Sequence, residues 1–367
     1  MKIIVLGGAG DMGSRTVEDL AATADVELVT IADGNLAAAD RLASRLQGQA
    51  AAVDTILIDA DNHRGLVQAM RGYDVVASAL GPFHRFENKL VHAAIEAEVD
   101  YTSICDEWEA VEAVMGEASR AAEDTGRIVI TGMGASPGLT NVGVRFLDDQ
   151  MDHLRRVEIS CYQPLDAGGG EAVLKHMMYI MSGEVASWRR GEQVMVPACS
   201  ETRVVDFPQF GPIQLWNMGH SEPFTVPRTF PDIEEVSFFM GFGKGANLFV
   251  KPARWGWFQS HRWVDRFAGA LATIEGLTPD APPGLGALRV DAWGQQGDDE
   301  IHRMVCGTGG MREVTGLSLS VGALMLGRRE LLVERGGVYA PEACIRPRPF
   351  IQAMIEKGVT VYEDLAM

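Results

Sequence analysis

Six residues near the amino terminus, Gly8-Ala9-Gly10-Asp11-Met12-Gly13, have the types and spacing of a phosphate cradle. Gly8 permits a tight turn, Gly10 removes the side chain that would obstruct a pyrophosphate, and Gly13 lets the following helix pack close to a strand. The N–H groups and dipole of that helix then face the ligand with partial positive charge. Asp33 ends the next strand, twenty residues after Gly13. A carboxylate there accepts hydrogen bonds from adenosine ribose hydroxyls and repels a 2′-phosphate, which favours NAD over NADP. Arg41 is the first arginine downstream. A glycine-rich turn that holds nothing is the alternative.

A second loop, Ala79-Leu80-Gly81-Pro82-Phe83-His84, follows the fourth expected strand. Ligands of open α/β sheets sit at the carboxyl ends of strands, near the reversal of strand order. Leu80, Gly81 and Pro82 are therefore expected to border the cofactor. Asp59, at the end of the third strand, is expected at the adenine amine. Hydride transfer from a C–N or C–O bond also needs a proton acceptor that titrates near the working pH. His84 fits by type and place; Asp106 is the second catalytic candidate. Each has a plainer reading. His84 could be a surface histidine, and Asp106 with Glu109 three residues on has the spacing of a capping box. Cys105 reads as a small buried apolar residue.

The elements that must position these groups alternate. Strands are expected at Lys2–Leu6, Val26–Ala32, Val53–Ile58, Asp74–Leu80, Asp100–Ile104 and Arg127–Thr131. Helices are expected at Gly13–Thr23, Leu36–Leu46, His63–Met70, Phe86–Glu98 and Glu107–Asp124. Such alternation predicts an α/β fold, a doubly wound parallel Rossmann sheet with right-handed crossovers. After Gly132–Gly138 the pattern changes, and from Val157 to Arg262 the signals are short alternating strands with Pro, Gly and Asn turns, which predicts an inserted mixed α+β substrate domain. The expected division is 1–135 with about 307–367 for the nucleotide domain, and about 136–306 for a substrate and dimerisation domain. Chemistry is expected in the cleft between them. In the second domain the glycines before Glu171 open a helix carrying Lys175 and His176, either a carboxylate site or a turn. His220 and Glu222 lie in a loop rich in Gly and Pro. Arg228, Arg254, Arg262 and Arg303 could fork a carboxylate or be solvated. Trp255, Trp257, Phe258 and Trp263 could line a pocket, a core or an interface.

Composition limits the partners. The 367 residues carry 32 basic and 50 acidic side chains, a net charge of −18. That field repels polyanions, so neither nucleic acid nor an anionic membrane is expected. No apolar run reaches the ~18 residues of a membrane span. Five scattered cysteines with no CxxC pair argue against a disulfide framework or zinc knuckle and for a reducing compartment, the cytoplasm. No metal-spaced ligand motif and no G-x-S-x-G elbow appears, so no metal is expected.

Four segments resemble the saccharopine dehydrogenase-like oxidoreductases: Ile3–Gly13, Ala93–Asp106, Gly132–Asn141 (GMGASPGLTN) and Gly337–Glu342 (GVYAPE). The resemblance implies a nucleotide domain completed by the carboxyl-terminal return. It also implies NAD(P)-dependent oxidation of a small amine or amino-acid-derived substrate, or the reverse condensation; the expected assembly is a homodimer. Pro137, Gly138 and Asn141, in the third segment, join Glu171, His176 and His220 as candidate substrate contacts. The chain departs from the pattern at Ser103, where many relatives carry Asp two residues after the tyrosine. Two other outcomes fit the same motifs: an enzyme that keeps NAD bound and uses it transiently as a lyase, epimerase or transferase, and a non-catalytic nucleotide sensor.

Overall fold

The computed structural model describes residues 1–164, 170–243, 247–259 and 284–363. The chain begins with β1 (Lys2–Leu6), α1 (Asp11–Ala21), β2 (Leu28–Asp33), α2 (Leu36–Arg45), β3 (Ala52–Leu57), α3 (His63–Met70), β4 (Val75–Ser78), α4 (Phe83–Glu96), β5 (Asp100–Ser103), α5 (Trp108–Glu117), α6 (Ser119–Thr125) and β6 (Ile128–Ile130). It continues through α7 (Leu139–Asp148), β7 (His153–Tyr162), α8 (Gly170–Ile180), β8 (Glu184–Arg189), β9 (Glu192–Pro197), β10 (Thr202–Phe207), β11 (Gly211–Asn217), α9 (Glu222–Thr229), β12 (Glu235–Gly241) and α10 (Asn247–Arg254). It ends with β13 (Leu285–Gln296), β14 (Asp299–Gly310), α11 (Met311–Gly327), β15 (Gly337–Tyr339), α12 (Pro341–Cys344), α13 (Pro347–Glu356) and β16 (Thr360–Glu363).

The first sheet is seven-stranded, in the order β15-β6-β5-β4-β1-β2-β3. Its pairings are parallel. Order reverses between β1 and β4, as the doubly wound expectation requires. β1 and β4 are continuous apolar or small runs because helices cover both faces. β3, at the edge, alternates exposed and half-buried residues instead. One buried cluster joins Ile4, Leu6 and Val76 to Leu90, Val91 and Ala94 of α4. Three departures from expectation stand out. The 107–124 helix divides at Ala118 into α5 and α6. A seventh strand, the three-residue β15, was too short to carry a period. The unit boundaries also fall elsewhere than expected.

Residues 1–142 with 312–357 form one compact unit, and 143–311 with 358–367 the other. The last strand, β16, pairs antiparallel with β14, so the chain's end belongs to the second sheet and not to the nucleotide domain. That sheet runs β10-β11-β12-β7-β13-β14-β16, with the β8–β9 hairpin paired to β12. It is mixed: β12 and β7 are parallel, and the other pairs antiparallel. Val205, Phe207, Leu215, Phe239 and Met304 pack as a cluster in this second unit.

Candidate functional site

Helix capping separates two kinds of helix in the first unit. α2 and α3 begin with Asn35 and Asn62, whose side chains accept from Ala38 N–H at 3.1 Å and Gly65 N–H at 3.0 Å. Such caps satisfy the orphan donors of a first turn. α1 and α4, which start at the strand ends flanking the order reversal, have Gly10 and Pro82 at that place and no cap from their own side chains.

Gly10 N–H donates to Gly7 O at 3.0 Å, closing the turn, and Gly10 itself is exposed. A Cβ on Gly10 would meet only Gly7 O, at 3.2 Å, whereas one on Gly13 would lie 2.2 Å from the same oxygen. The cradle thus has open space above Gly10 and none at Gly13, as a pyrophosphate-binding turn needs. The turn residue is Gly7 and not Gly8: Gly7 has φ of +68°. Gly8 instead makes room for β1 and β2, since its Cβ would come 2.9 Å from Val5 O and 3.1 Å from Ile31 Cγ2.

Asp33 joins the loop to the end of β2. Its Oδ2 accepts Ala9 N–H at 3.0 Å and its Oδ1 accepts Asn35 N–H at 2.8 Å. Ala9, whose N–H Asp33 accepts, also lines a cavity of about 590 Å³, with Ser14, Asp40, Arg41 and Arg45 among its other walls. Size and position suit an adenosine end. Asp59 is exposed and its Oδ1 caps a local turn by accepting Asp61 N–H at 2.9 Å.

The β1–β4 pairing brings the second loop against the first. A Cβ on Gly7 would meet Ala79 O at 3.0 Å and Leu80 Cα at 3.1 Å. Gly81 and Pro82, joined by a cis peptide, and His84 are exposed at this rim. The α4 N-terminus is capped from another part of the chain. Glu107 accepts Phe83 N–H at 3.3 Å, His84 N–H at 2.7 Å and His84 Nδ1 at 2.8 Å. The Glu107 side chain is nearly buried, at 4 % exposure, while His84 is 56 % exposed. A buried carboxylate on Nδ1 fixes the tautomer and ring orientation. The carboxylate on His84 is that of Glu107. Glu107, not Asp106, is the N-cap residue of α5, with no cap bond from its side chain, so the expected capping box does not form.

One turn along α4, Glu87 is fully buried. Tyr101 OH donates to its Oε2 at 2.9 Å; the Ser103 and Thr131 hydroxyls donate to Oε1. Burial, with Glu107 nearby, raises its pKa from 4.5 to about 7. The folded state thus keeps a proton that the unfolded chain releases, so stability falls between pH 4.5 and 7 and is flat above. Glu87→Gln should remove that loss, which is roughly 3 kcal/mol for such a shift. The gap between variant and wild-type urea midpoints is expected to widen from pH 5 to pH 7.5; a constant gap would mean that Glu87 does not titrate in this window. Burial also pushes the Cys105 thiol well above its ordinary range, which suits a packing residue and not a nucleophile.

Several expected substrate contacts have other work. Asn141 is fully buried: its Oδ1 accepts Gly138 N–H at 3.0 Å and its Nδ2 donates to buried Glu342 at 2.7 Å. Gly138 has φ of +125°, and a Cβ there would fall 2.0 Å from Gly134 O. Pro137 is buried beside it. The Asn141–Glu342 bond ties GMGASPGLTN to GVYAPE. In the second unit His220 is buried, stacked on Phe238 at 4.0 Å and bonded through Nδ1 to buried Glu222. It is a core residue. His176 is half-buried on α8, its ring 6.4 Å from Tyr179. Glycines 168 and 169, Arg262, Trp263 and the Glu171 side chain lie outside the described residues.

Glu107 and Glu87 were missed, and only one of them had a signal. Glu87 falls on the apolar stripe of α4 with Leu90, Val91 and Ala94, an anomalous place for a carboxylate. Glu107 stands next to Asp106, and a sequence cannot say which of two adjacent acids turns toward a distant helix.

Residues 3–130 match the family described as the saccharopine dehydrogenase NADP binding domain. A curated relative, the carboxynorspermidine synthase of Vibrio alginolyticus, is 23% identical over 259 residues, 64% of this chain. The chain spans 62% of that synthase's length. The apo saccharopine dehydrogenase (L-Glu forming) of Saccharomyces cerevisiae superposes with a TM-score of 0.69 over 99% of this chain and 100% of its own, at 14% identity. The DAP dehydrogenase of C. glutamicum in complex with DAP gives 0.50 over 98% and 99%, at 12% identity. These two solved structures share the fold. No described helix is long and apolar enough to cross a membrane. Residues 3–130 are thus similar to the saccharopine dehydrogenase NADP binding domain, and the chain shares its fold with the two solved structures.

Proposed function

We propose that this protein is an NAD(P)-dependent oxidoreductase that moves a hydride between the nicotinamide and a small amine or amino-acid-derived substrate. The observation that carries the reading is the His84–Glu107 pair on the rim that also holds the glycine cradle. The bound nicotinamide supplies the hydride acceptor. This chain's residues supply the rest: Gly7–Gly13 and the α1 N-terminus hold the phosphates, Asp33 orients the ribose, and His84 takes the amine proton on Nε2. The relatives' names, a synthase of carboxynorspermidine and a dehydrogenase of saccharopine, both point to amine chemistry. The test is a panel of primary amines and amino acids with NAD or NADP, followed at the reduced-nicotinamide absorbance. Turnover with none of them, in either direction, would reject the reading. A cytoplasmic homodimer belongs to the same proposal, and sedimentation velocity measures the dimer.

Within it we favour NAD, because the Asp33 carboxylate accepts the N–H of Ala9, which lines the adenosine cavity. Asp33→Asn keeps an acceptor for Ala9 N–H and removes the charge. It should raise NADPH affinity relative to NADH about tenfold, measured by fluorescence titration; an unchanged ratio would strip Asp33 of this role. A second reading, NADP, is supported by Arg41 and Arg45 on the cavity wall and by the family's own description. It requires a wild type that prefers NADPH and an Arg41→Ala/Arg45→Ala variant that loses the preference.

A further inference from the structure

The first residue of α1 is an acid. Asp11 is exposed in the very turn whose N–H groups must meet a pyrophosphate. A carboxylate at a helix N-terminus interacts favourably with the same dipole and competes there with any other anion. In a protein of net charge −18 this is an unfavourable place for a further negative charge.

A guanidinium from the other end of the chain answers it. Arg312 Nε donates to Asp11 Oδ1 at 3.1 Å, and Nη2 donates to Ser14 Oγ at 2.9 Å. Ser14 in turn donates to Asp11 O at 2.9 Å and lines the cavity beside Ala9. The placement is held by tight helix packing. One turn beyond Arg312, Thr16 Oγ1 donates to Gly316 O at 3.0 Å, and a Cβ on Gly316 would come 2.6 Å from Arg15 Cβ. Farther along, Ser320 donates to buried Asp19 at 2.6 Å. Three contacts thus dock α11 on α1 and deliver Arg312 to the cradle.

We propose that Arg312 is a positioning residue for the dinucleotide: it neutralises Asp11 and orients Ser14, so that the first turn of α1 accepts the ligand's pyrophosphate. This rests on the dinucleotide reading of the glycine loop. Among the described residues, Glu18 and Glu313 are ion-paired with Arg312, Arg15 pairs with the same two acids, Asp33 accepts Ala9 N–H, and Asp40, Arg41 and Arg45 line the cavity that Ser14 shares. Without Arg312, three carboxylates face one guanidinium. The glycine loop supplies the donors; the return helix removes the charge that would otherwise oppose them.

The test is NADH and NADPH titration, by nicotinamide fluorescence, of wild type, Arg312→Ala, Arg312→Lys, Asp11→Asn and Asp11→Asn/Arg312→Ala. Arg312→Ala should bind NADH about tenfold more weakly at low salt, and the deficit should shrink as salt screens the exposed charges. Arg312→Lys should keep most of the affinity. In the Asp11→Asn background the same Arg312→Ala change should cost about twofold or less, the signature of coupled residues. A merely structural role for Arg312 would cost the same in both backgrounds and at all salt concentrations, and that result overturns the proposal. So does an Arg312→Ala protein that binds as wild type does. A wild type that binds neither dinucleotide would instead bring down the cofactor reading itself.

Discussion

Gly10→Val is expected to lose at least roughly a hundredfold in dinucleotide affinity while melting at nearly the wild-type temperature. The backbone at Gly10 has φ of −72°, which any residue adopts, and its Cβ would meet nothing but Gly7 O at 3.2 Å. Valine therefore asks only that Gly7 O give by a few tenths of an ångström, a small cost to the empty fold. Its methyl groups would fill the space above the first turn of α1, where phosphate oxygens must reach the N–H donors. Losing one or two charge-assisted hydrogen bonds, each ~1.5–3 kcal/mol, accounts for that factor. Gly13→Ala should do the opposite kind of damage. Its Cβ would sit 2.2 Å from Gly7 O and 2.9 Å from Gly8 Cα, both backbone, so α1 has to retreat from β1. Overpacking of this kind costs ~1–3 kcal/mol or more, and Gly13→Ala should lower the melting temperature as well as the affinity. NADH titration with a melting curve on each protein separates the two. An unaltered affinity in Gly10→Val would refute the cradle.

His84→Ala should lower kcat by about 10²–10⁴-fold, the usual worth of a positioned general base, with NADH affinity within about twofold of wild type. The side chain is exposed at the rim and its ring is held at Nδ1 by Glu107, so its removal leaves the cradle and the β4 loop in place. Glu107→Gln should be milder in rate and harsher in stability. One end of the amide cannot accept, yet Phe83 N–H, His84 N–H and His84 Nδ1 all converge on this side chain. An unmet buried donor costs ~1–3 kcal/mol. Steady-state rates with the amine found in the panel measure the first effect and urea denaturation the second. A His84→Ala enzyme with wild-type kcat would move the proton transfer to another group.

Most of the first unit was legible because its periods are long and its punctuation is strong. β1, α1, β2 and α2 lie within a few residues of their expected bounds, and Gly7–Gly13 with Asp33 came from spacing alone. What escaped was whatever depends on contacts distant in sequence. β15 is three residues long and is a strand only because β6 lies beside it. Glu107 caps a helix 23 residues earlier, Arg312 reaches a residue 301 positions away, and Asn141 meets Glu342 across 201. Asn141 and Gly138 looked like ligand contacts because family-like polar and glycine residues serve function or a buried clamp equally well. Burial decides between them, and burial is not written in a ten-residue segment. The burial of His220 was equally invisible in its Gly- and Pro-rich segment.

The fate of the transferred hydrogen bears most directly on the claim that this is a dehydrogenase. The substrate found in the amine panel, deuterated at the carbon that bears nitrogen, is incubated with oxidised cofactor, and the released products are analysed by mass spectrometry. Deuterium is expected in the reduced nicotinamide free in solution, in amounts equal to the amine consumed. Deuterium returned to the product or lost to water, with no reduced cofactor accumulating, would contradict net hydride transfer and point to an enzyme that keeps its dinucleotide and ends in lyase, epimerase or transferase chemistry.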